Sequence, residues 1–147
     1  MMRRATLSDV ADITALTRAA YAPWVAVIGR EPLPMVADHA QAVQHHLIDI
    51  LDQGCAVALI EMIPRADHLW VENVAVHPAH QGRGLGTGLL DHAETVARGL
   101  GLREIRLLTN AAFAANLRFY AGLGFVETAR QPFRGGFTAY FCKVLDP

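Results

Sequence analysis

The six residues Gln81-Gly82-Arg83-Gly84-Leu85-Gly86 constrain the fold of this chain more than any other stretch. Ahead of them runs a segment rich in β-branched and aromatic residues, 68–76, closed by Pro78. Behind them, Leu89, Leu90, Ala93, Val96 and Ala97 recur at helical spacing until Gly99 and Gly101 stop the pattern. Strand, glycine-rich loop and helix in that order make a natural anion site. The first turn of a helix has unpaired N–H groups and a partial positive charge, and glycines let the backbone come close to a phosphate. The glycines alone are equally compatible with a plain turn and helix cap. Two common phosphate loops do not fit. A dinucleotide fold needs a further glycine three residues after Gly86, where Leu89 stands, and a P-loop needs a Gly-Lys-Ser/Thr triplet that the chain lacks.

Around this centre the chain alternates between the two regular periods. Residues 2–6 read as a first strand, Ser8 and Asp9 as caps, and Val10, Ile13, Leu16 and Ala20 as the apolar face of a helix. Pro23, Gly29, Pro32 and Pro34 break residues 21–35, so a loop-rich segment is expected there, with a short helix resuming near Val36. Asp52-Gln53-Gly54 between two apolar runs favours a hairpin, and residues 64–67 make a second turn into the strand 68–76, completing an antiparallel meander of three strands. After the loop and its helix come a strand near 105–108, a helix over about 112–123, and strands near 125–128 and 137–144. This order predicts a mixed α/β sheet with helices packed on it.

At 147 residues and 52% apolar composition, the chain is expected to form one domain, 1–147, with a sizeable core. A net charge of −1 with no block of like charges argues against nucleic acid or an anionic membrane as partner. No apolar run reaches the roughly 18 residues a bilayer span requires. Asp9, Asp12 and Arg18 interrupt any signal-peptide core, which makes the cytoplasm the expected location. Cys55 and Cys142 form no CxxC pair, so neither a disulfide framework nor a metal site is expected, and both read as buried strand thiols.

With Val74-Ala75-Val76-His77-Pro78 before it, the loop resembles the acetyl-CoA motif of the GNAT superfamily of N-acetyltransferases, Gln/Arg-x-x-Gly-x-Gly/Ala, met here by Gln81, Gly84 and Gly86. Asn116-Leu-Arg-Phe-Tyr120-Ala-Gly-Leu-Gly124-Phe125 stands at the expected distance downstream, while the first 65 residues resemble the family in layout more than in motif. The resemblance implies a splayed central pair of strands. It implies that the backbone of Val74 to Val76, Ala75 included, holds the pantetheine arm of acetyl-CoA, and that Gln81, Gly82, Arg83, Gly84, Leu85, Gly86 and Thr87 hold the pyrophosphate. Asn116 would bond the pantetheine arm and Tyr120 would stand near the thioester sulfur. Four residues apart on a helix, they share one face. Arg83 reads more simply as a solvated loop-tip side chain. Acetyl-CoA is the implied cosubstrate, no metal is implied, and a homodimer is left open by the resemblance.

Transfer to a primary amine needs a proton acceptor, because a free alkylamine is mostly protonated at neutral pH. Glu72, on the strand entering the loop, is the first candidate base, acting through a water; strict alternation would put it on one face with Val74 and not with Asn73. Tyr120, neutral at pH 7, can donate to the departing thiolate. Neither cysteine lies in the expected site, so transfer is expected to be direct. The acceptor, a small molecule or peptide amine, is expected between residues 21–35 and the loop 131–136, where Tyr21, Trp24, Arg30 and Arg134 are candidates and the arginines could bind a carboxylate. The competing reading is a noncatalytic acyl-CoA-binding or protein-interaction domain of the same fold.

Overall fold

The computed structural model describes residues 1–147. The first half runs β1 (Met2–Arg4), α1 (Val10–Tyr21), three short helices α2 (Val25–Ile28), α3 (Leu33–Val36) and α4 (His39–His45), then the meander β2 (Leu47–Asp52), β3 (Ala56–Pro64) and β4 (Leu69–Val76). The second half runs α5 (Leu85–Gly99), β5 (Glu104–Asn110), α6 (Ala114–Gly122), β6 (Val126–Phe133) and β7 (Gly136–Val144). All seven strands join one sheet in the order β1-β2-β3-β4-β5-β7-β6. Every pairing is antiparallel except β4 with β5. The mixed α/β layout expected from the periodicity is therefore the observed one.

Two hydrophobic layers hold the sheet. On one face α1 lays Ile13 and Leu16 against Ile48, Ile50, Leu59 and Ala75. On the other, α5 lays Leu89, Leu90, Ala93 and Ala97 against Ile60, Met62, Val71 and Leu107, with Tyr120, Phe125 and Phe141 closing the layer. Leu59 is fully buried, so truncating it to alanine should cost about 2–5 kcal/mol.

Three local expectations are corrected. Residues 21–35 are not loop: the breakers divide the segment into helical turns, with Gly29 at φ 73° ending α2 and Pro32 preceding α3. The supposed loop 131–136 is the tip of the β6–β7 hairpin, where Arg134 (φ 47°) and Gly135 (φ 81°) make a two-residue turn of the kind that matches strand twist. Cys55 is exposed in the bend between β2 and β3 and lies outside a strand, and Cys142 is half-buried in β7.

Candidate functional site

The site is created by a failure of pairing. Strand β4 pairs with β3 along its whole length, but with β5 only from Leu69 to Val71, opposite Ile105 to Leu107. Beyond Val71 the two central strands part. The break coincides with a β-bulge: Glu61 lies opposite Asn73 and Met62 opposite Val71, leaving Glu72 as the extra residue. Alternation does not survive it. Val71 and Val74 both face the α5 layer, whereas Asn73 and Ala75 face α1, so the face that strict alternation assigns to Glu72 does not apply.

Cavities open on either side of the parted strands. The loop-side groove, about 490 Å³, is lined by Val74, Val76, Gln81, Gly82, Gly84, Leu85, Gly86 and Thr87. The opposite chamber, about 700 Å³, is lined by Glu72, Asn73, Arg30, His46 and Glu61 among others. Four residues line both: Tyr21, Val74, Asn116 and Tyr120. The groove and the chamber therefore meet where the sequence put Asn116 and Tyr120.

The groove is built from backbone. His77 N–H bonds Val57 O at 2.9 Å, so by the antiparallel alternation Val74 and Val76 direct their N–H and C=O groups to the open side. The Val74 carbonyl accepts from the Tyr21 hydroxyl at 3.4 Å and the Val76 carbonyl from Gln81 Nε2 at 3.2 Å. Gly84 caps α5 at φ 76°, a conformation other residues adopt only under strain, and it brings no capping side chain. The N–H groups of Gly82, Arg83 and Gly84 make no hydrogen bond within the chain. Together with the first turn of α5 they form a set of unpaired donors suited to a pyrophosphate. Gly86 has a different reason: a Cβ there would stand 3.2 Å from the Phe119 ring. The residues present thus fit the phosphate end of a coenzyme A ligand.

Two tyrosine hydroxyls face the junction. Burial pushes the Tyr120 phenol up to about 12, and its hydroxyl makes no hydrogen bond within the chain, so it is a protonated donor with no protein partner. Burial, with Tyr120 nearby, raises Tyr21 as well. Its hydroxyl donates to Asn73 Oδ1 at 3.0 Å, and Asn73 Nδ2 donates to Thr17 at 3.3 Å. Asn116 Nδ2 donates to Thr109 Oγ1 at 3.2 Å, which orients its amide.

Other candidates are placed apart. Ala75 is buried against α1, and the Arg83 side chain turns to His80 at 3.3 Å instead of lining the groove. Trp24 lines the groove, not the chamber, and stacks on Phe113 with ring centroids 4.3 Å apart. Arg30 lines the chamber, with no carboxylate in ion-pair reach and its guanidinium carbon 5.7 Å from the centre of the Phe133 ring. Arg134 stands on the same ring at 5.1 Å but outside the chamber wall. Sequence reasoning passed over Asn73, Glu61 and His46. Glu61 did carry a signal, as the one charged residue in the apolar run 56–63, where a buried charge requires a partner.

Comparison with known proteins agrees with this geometry. The family model "Acetyltransferase (GNAT) family" matches residues 13–125. The L-methionine sulfoximine/L-methionine sulfone acetyltransferase of Salmonella typhimurium is 42% identical over 60 residues, 41% of this chain and 35% of that protein. The L-amino acid N-acyltransferase MnaT of Escherichia coli is 38% identical over 65 residues, 44% of this chain and 38% of that protein. The matches thus span little more than a third of these curated relatives. Among solved structures, the PaiA N-acetyltransferase of Thermoplasma acidophilum in complex with coenzyme A superposes with a TM-score of 0.83 at 16% identity, covering 98% of both chains. The yncA protein of Salmonella typhimurium with its cofactor acetyl-CoA gives 0.73 at 23% identity, covering 100% of this chain and 94% of that one. A sheet splayed at a bulge, a glycine-capped helix beside it and a family model spanning most of the sequence lead to one conclusion: the chain belongs to the GNAT family of acetyltransferases.

Proposed function

We propose that the protein transfers an acetyl group from acetyl-CoA directly to the amino group of a small acceptor that also carries a carboxylate, an amino-acid-like compound. The observation that carries this reading is the meeting of groove and chamber at Tyr21, Val74, Asn116 and Tyr120, which gives a cosubstrate and an acceptor separate entrances to one point. Acetyl-CoA supplies the activated acyl group. The loop from Gln81 to Thr87 holds its phosphates, the open edge of β4 at Val74 and Val76 holds its pantetheine arm with Asn116, and the Tyr120 hydroxyl gives a proton to the sulfur as the C–S bond breaks and the C–N bond forms.

In the chamber, Glu72 attracts the ammonium and the unpaired Arg30 guanidinium pairs with a carboxylate. The relatives named for L-amino acid and L-methionine sulfone acylation support this acceptor class. A noncatalytic acyl-CoA-binding module is the less favoured reading, since it has no use for a polar chamber behind the groove.

Titration with acetyl-CoA and with CoA while recording thermal stability tests the cosubstrate; ligand at 100 times its Kd should add about 2.7 kcal/mol. CoA release with L-methionine sulfone, other L-amino acids, a polyamine and a peptide then tests the acceptor, and release is expected with the amino acids only after both substrates are present. No stabilisation at millimolar acetyl-CoA would sink the acyltransferase reading. Stabilisation without CoA release from any amine would leave the noncatalytic module.

A further inference from the structure

The chamber wall holds a carboxylate–imidazole pair. His46, between α4 and β2, places Nδ1 2.6 Å from Glu61 Oε2 on β3, and the two side chains are 29% and 7% exposed. Nε2 of His46 makes no hydrogen bond within the chain, although both residues line the chamber. Glu61 is also the register partner of Asn73, which accepts from the Tyr21 hydroxyl at the junction. The pair therefore stands one inter-strand step, about 5 Å, from the network that reaches the meeting point of groove and chamber.

We propose that His46, oriented by Glu61, is the proton acceptor for the amine. The inference rests on reading the chamber as the acceptor site. A buried carboxylate on Nδ1 holds the imidazole in the Nδ1–H tautomer and turns the lone pair of Nε2 outward, into the space where the ammonium is bound. Glu61 is the positioning residue and stabilises the imidazolium that forms. The protons balance. An acceptor ammonium has three N–H bonds and the product amide has one. One proton passes to Nε2 of His46 before attack and later to solvent; the second leaves as the C–N bond forms and reaches the sulfur through Tyr120. A carboxylate such as Glu72, exposed at the bulge, suits attraction of the ammonium; an imidazole is better matched to taking its proton near neutrality. The other titratable or charged groups facing this space are Arg30, Asp38, His39, His45 and Glu72, with the phenols of Tyr21, Tyr120 and Tyr140. Asp38 caps α4 and His39 is held by Thr14 and the Pro34 carbonyl, which leaves His46 as the imidazole with a carboxylate behind it.

The test compares wild type with H46Q, E61Q and E72Q, using acetyl-CoA and L-methionine sulfone across pH 6 to 10. At pH 7, H46Q should lower kcat/KM about 100-fold and E61Q about tenfold, with the KM for acetyl-CoA unchanged. The deficit of H46Q should shrink as pH rises past the amine's own pKa, because the acceptor then arrives neutral, a recovery that a purely structural loss would not show. Retention of the acetyl-CoA-induced thermal shift checks that each variant is folded. If H46Q keeps the wild-type pH profile while E72Q alone alters its acid limb, the proton acceptor is Glu72 and the inference fails with the acetyltransferase reading intact. Nitrogen-15 NMR of the wild-type imidazoles judges the pair without any acceptor. A neutral His46 with its proton on Nδ1, shifting in E61Q, is the result expected, whereas CoA release from no amine tried would overturn the acetyltransferase reading on which the proposal rests. A proton on Nε2, or an imidazolium persisting at pH 8, overturns the proposal itself.

Discussion

The groove and the chamber lie back to back on the same parted strands yet are made of different material. Backbone makes most of the groove: the free edge of β4, the unpaired amides of the loop and the first turn of α5, from residues 74–87, with α1, α6 and the turn at Pro23 and Trp24 adding the rest of the wall. Side chains make the chamber, gathered from Arg30 on the first half of the chain to Phe133 and Tyr140 on the last hairpin. Backbone donors suit a ligand common to a whole family, whereas side chains can be exchanged without disturbing the fold. The contrast predicts that the two cavities respond to substitution independently.

The hardest test is Gly84→Val. It forces a β-branched residue into φ 76° and crowds the free amides. Acetyl-CoA binding measured calorimetrically should weaken at least about 100-fold while the unliganded fold loses only about 1–2 kcal/mol. An unchanged affinity would mean that the loop is a cap and nothing more. A smaller effect, of opposite address, is expected for Arg30→Gln: the KM of a carboxylate-bearing acceptor should rise about tenfold with that of acetyl-CoA unmoved. Equal changes in both constants would break the separation. The smallest effect belongs to neither cavity. Asp9, paired with Arg3 at 2.8 Å and accepting from the Thr6 amide, has its carboxyl lowered from 3.8 to about 2 by that pairing. Its contribution is present above about pH 4 and lost as pH falls from 4 to 2. Asp9→Asn should therefore cost about 1 kcal/mol at pH 7 in urea unfolding and nothing below pH 2, with both KM values unchanged.

The same contrast explains what could be read from the sequence. The loop was legible because its determinants are local: glycines, a helix face at Leu89, Leu90 and Ala93, and a proline turn lie within one short stretch. The antiparallel meander was legible from turn residues at 52–54 and 64–67. Asn73, Glu61 and His46 were not, because a polar residue in a buried strand is explained only by partners far along the chain, Tyr21 for Asn73 and His46 for Glu61. The placement of Glu72 by alternation lost its premise for a related reason. A bulge changes neither composition nor period, and it appears only when β3 and β4 are laid side by side. The hairpin tip was missed because Arg134, a non-glycine residue with positive φ, gives no turn signal of its own.

That bulge has a consequence for how this strand can change. The two sides of a strand are assigned by counting odd and even, and the count is reset once, at Glu72. Deleting Glu72 would make Val71, Asn73, Val74 and Ala75 alternate regularly on the faces they already hold, but the bulge that accompanies the parting of β4 from β5 would be gone; deleting any residue from Val74 to Val76 would instead send the residues after it to the wrong face. The cleft is thus written as a parity error in β4, and the length of this strand, unlike that of the loops around it, has no freedom to drift by a single residue.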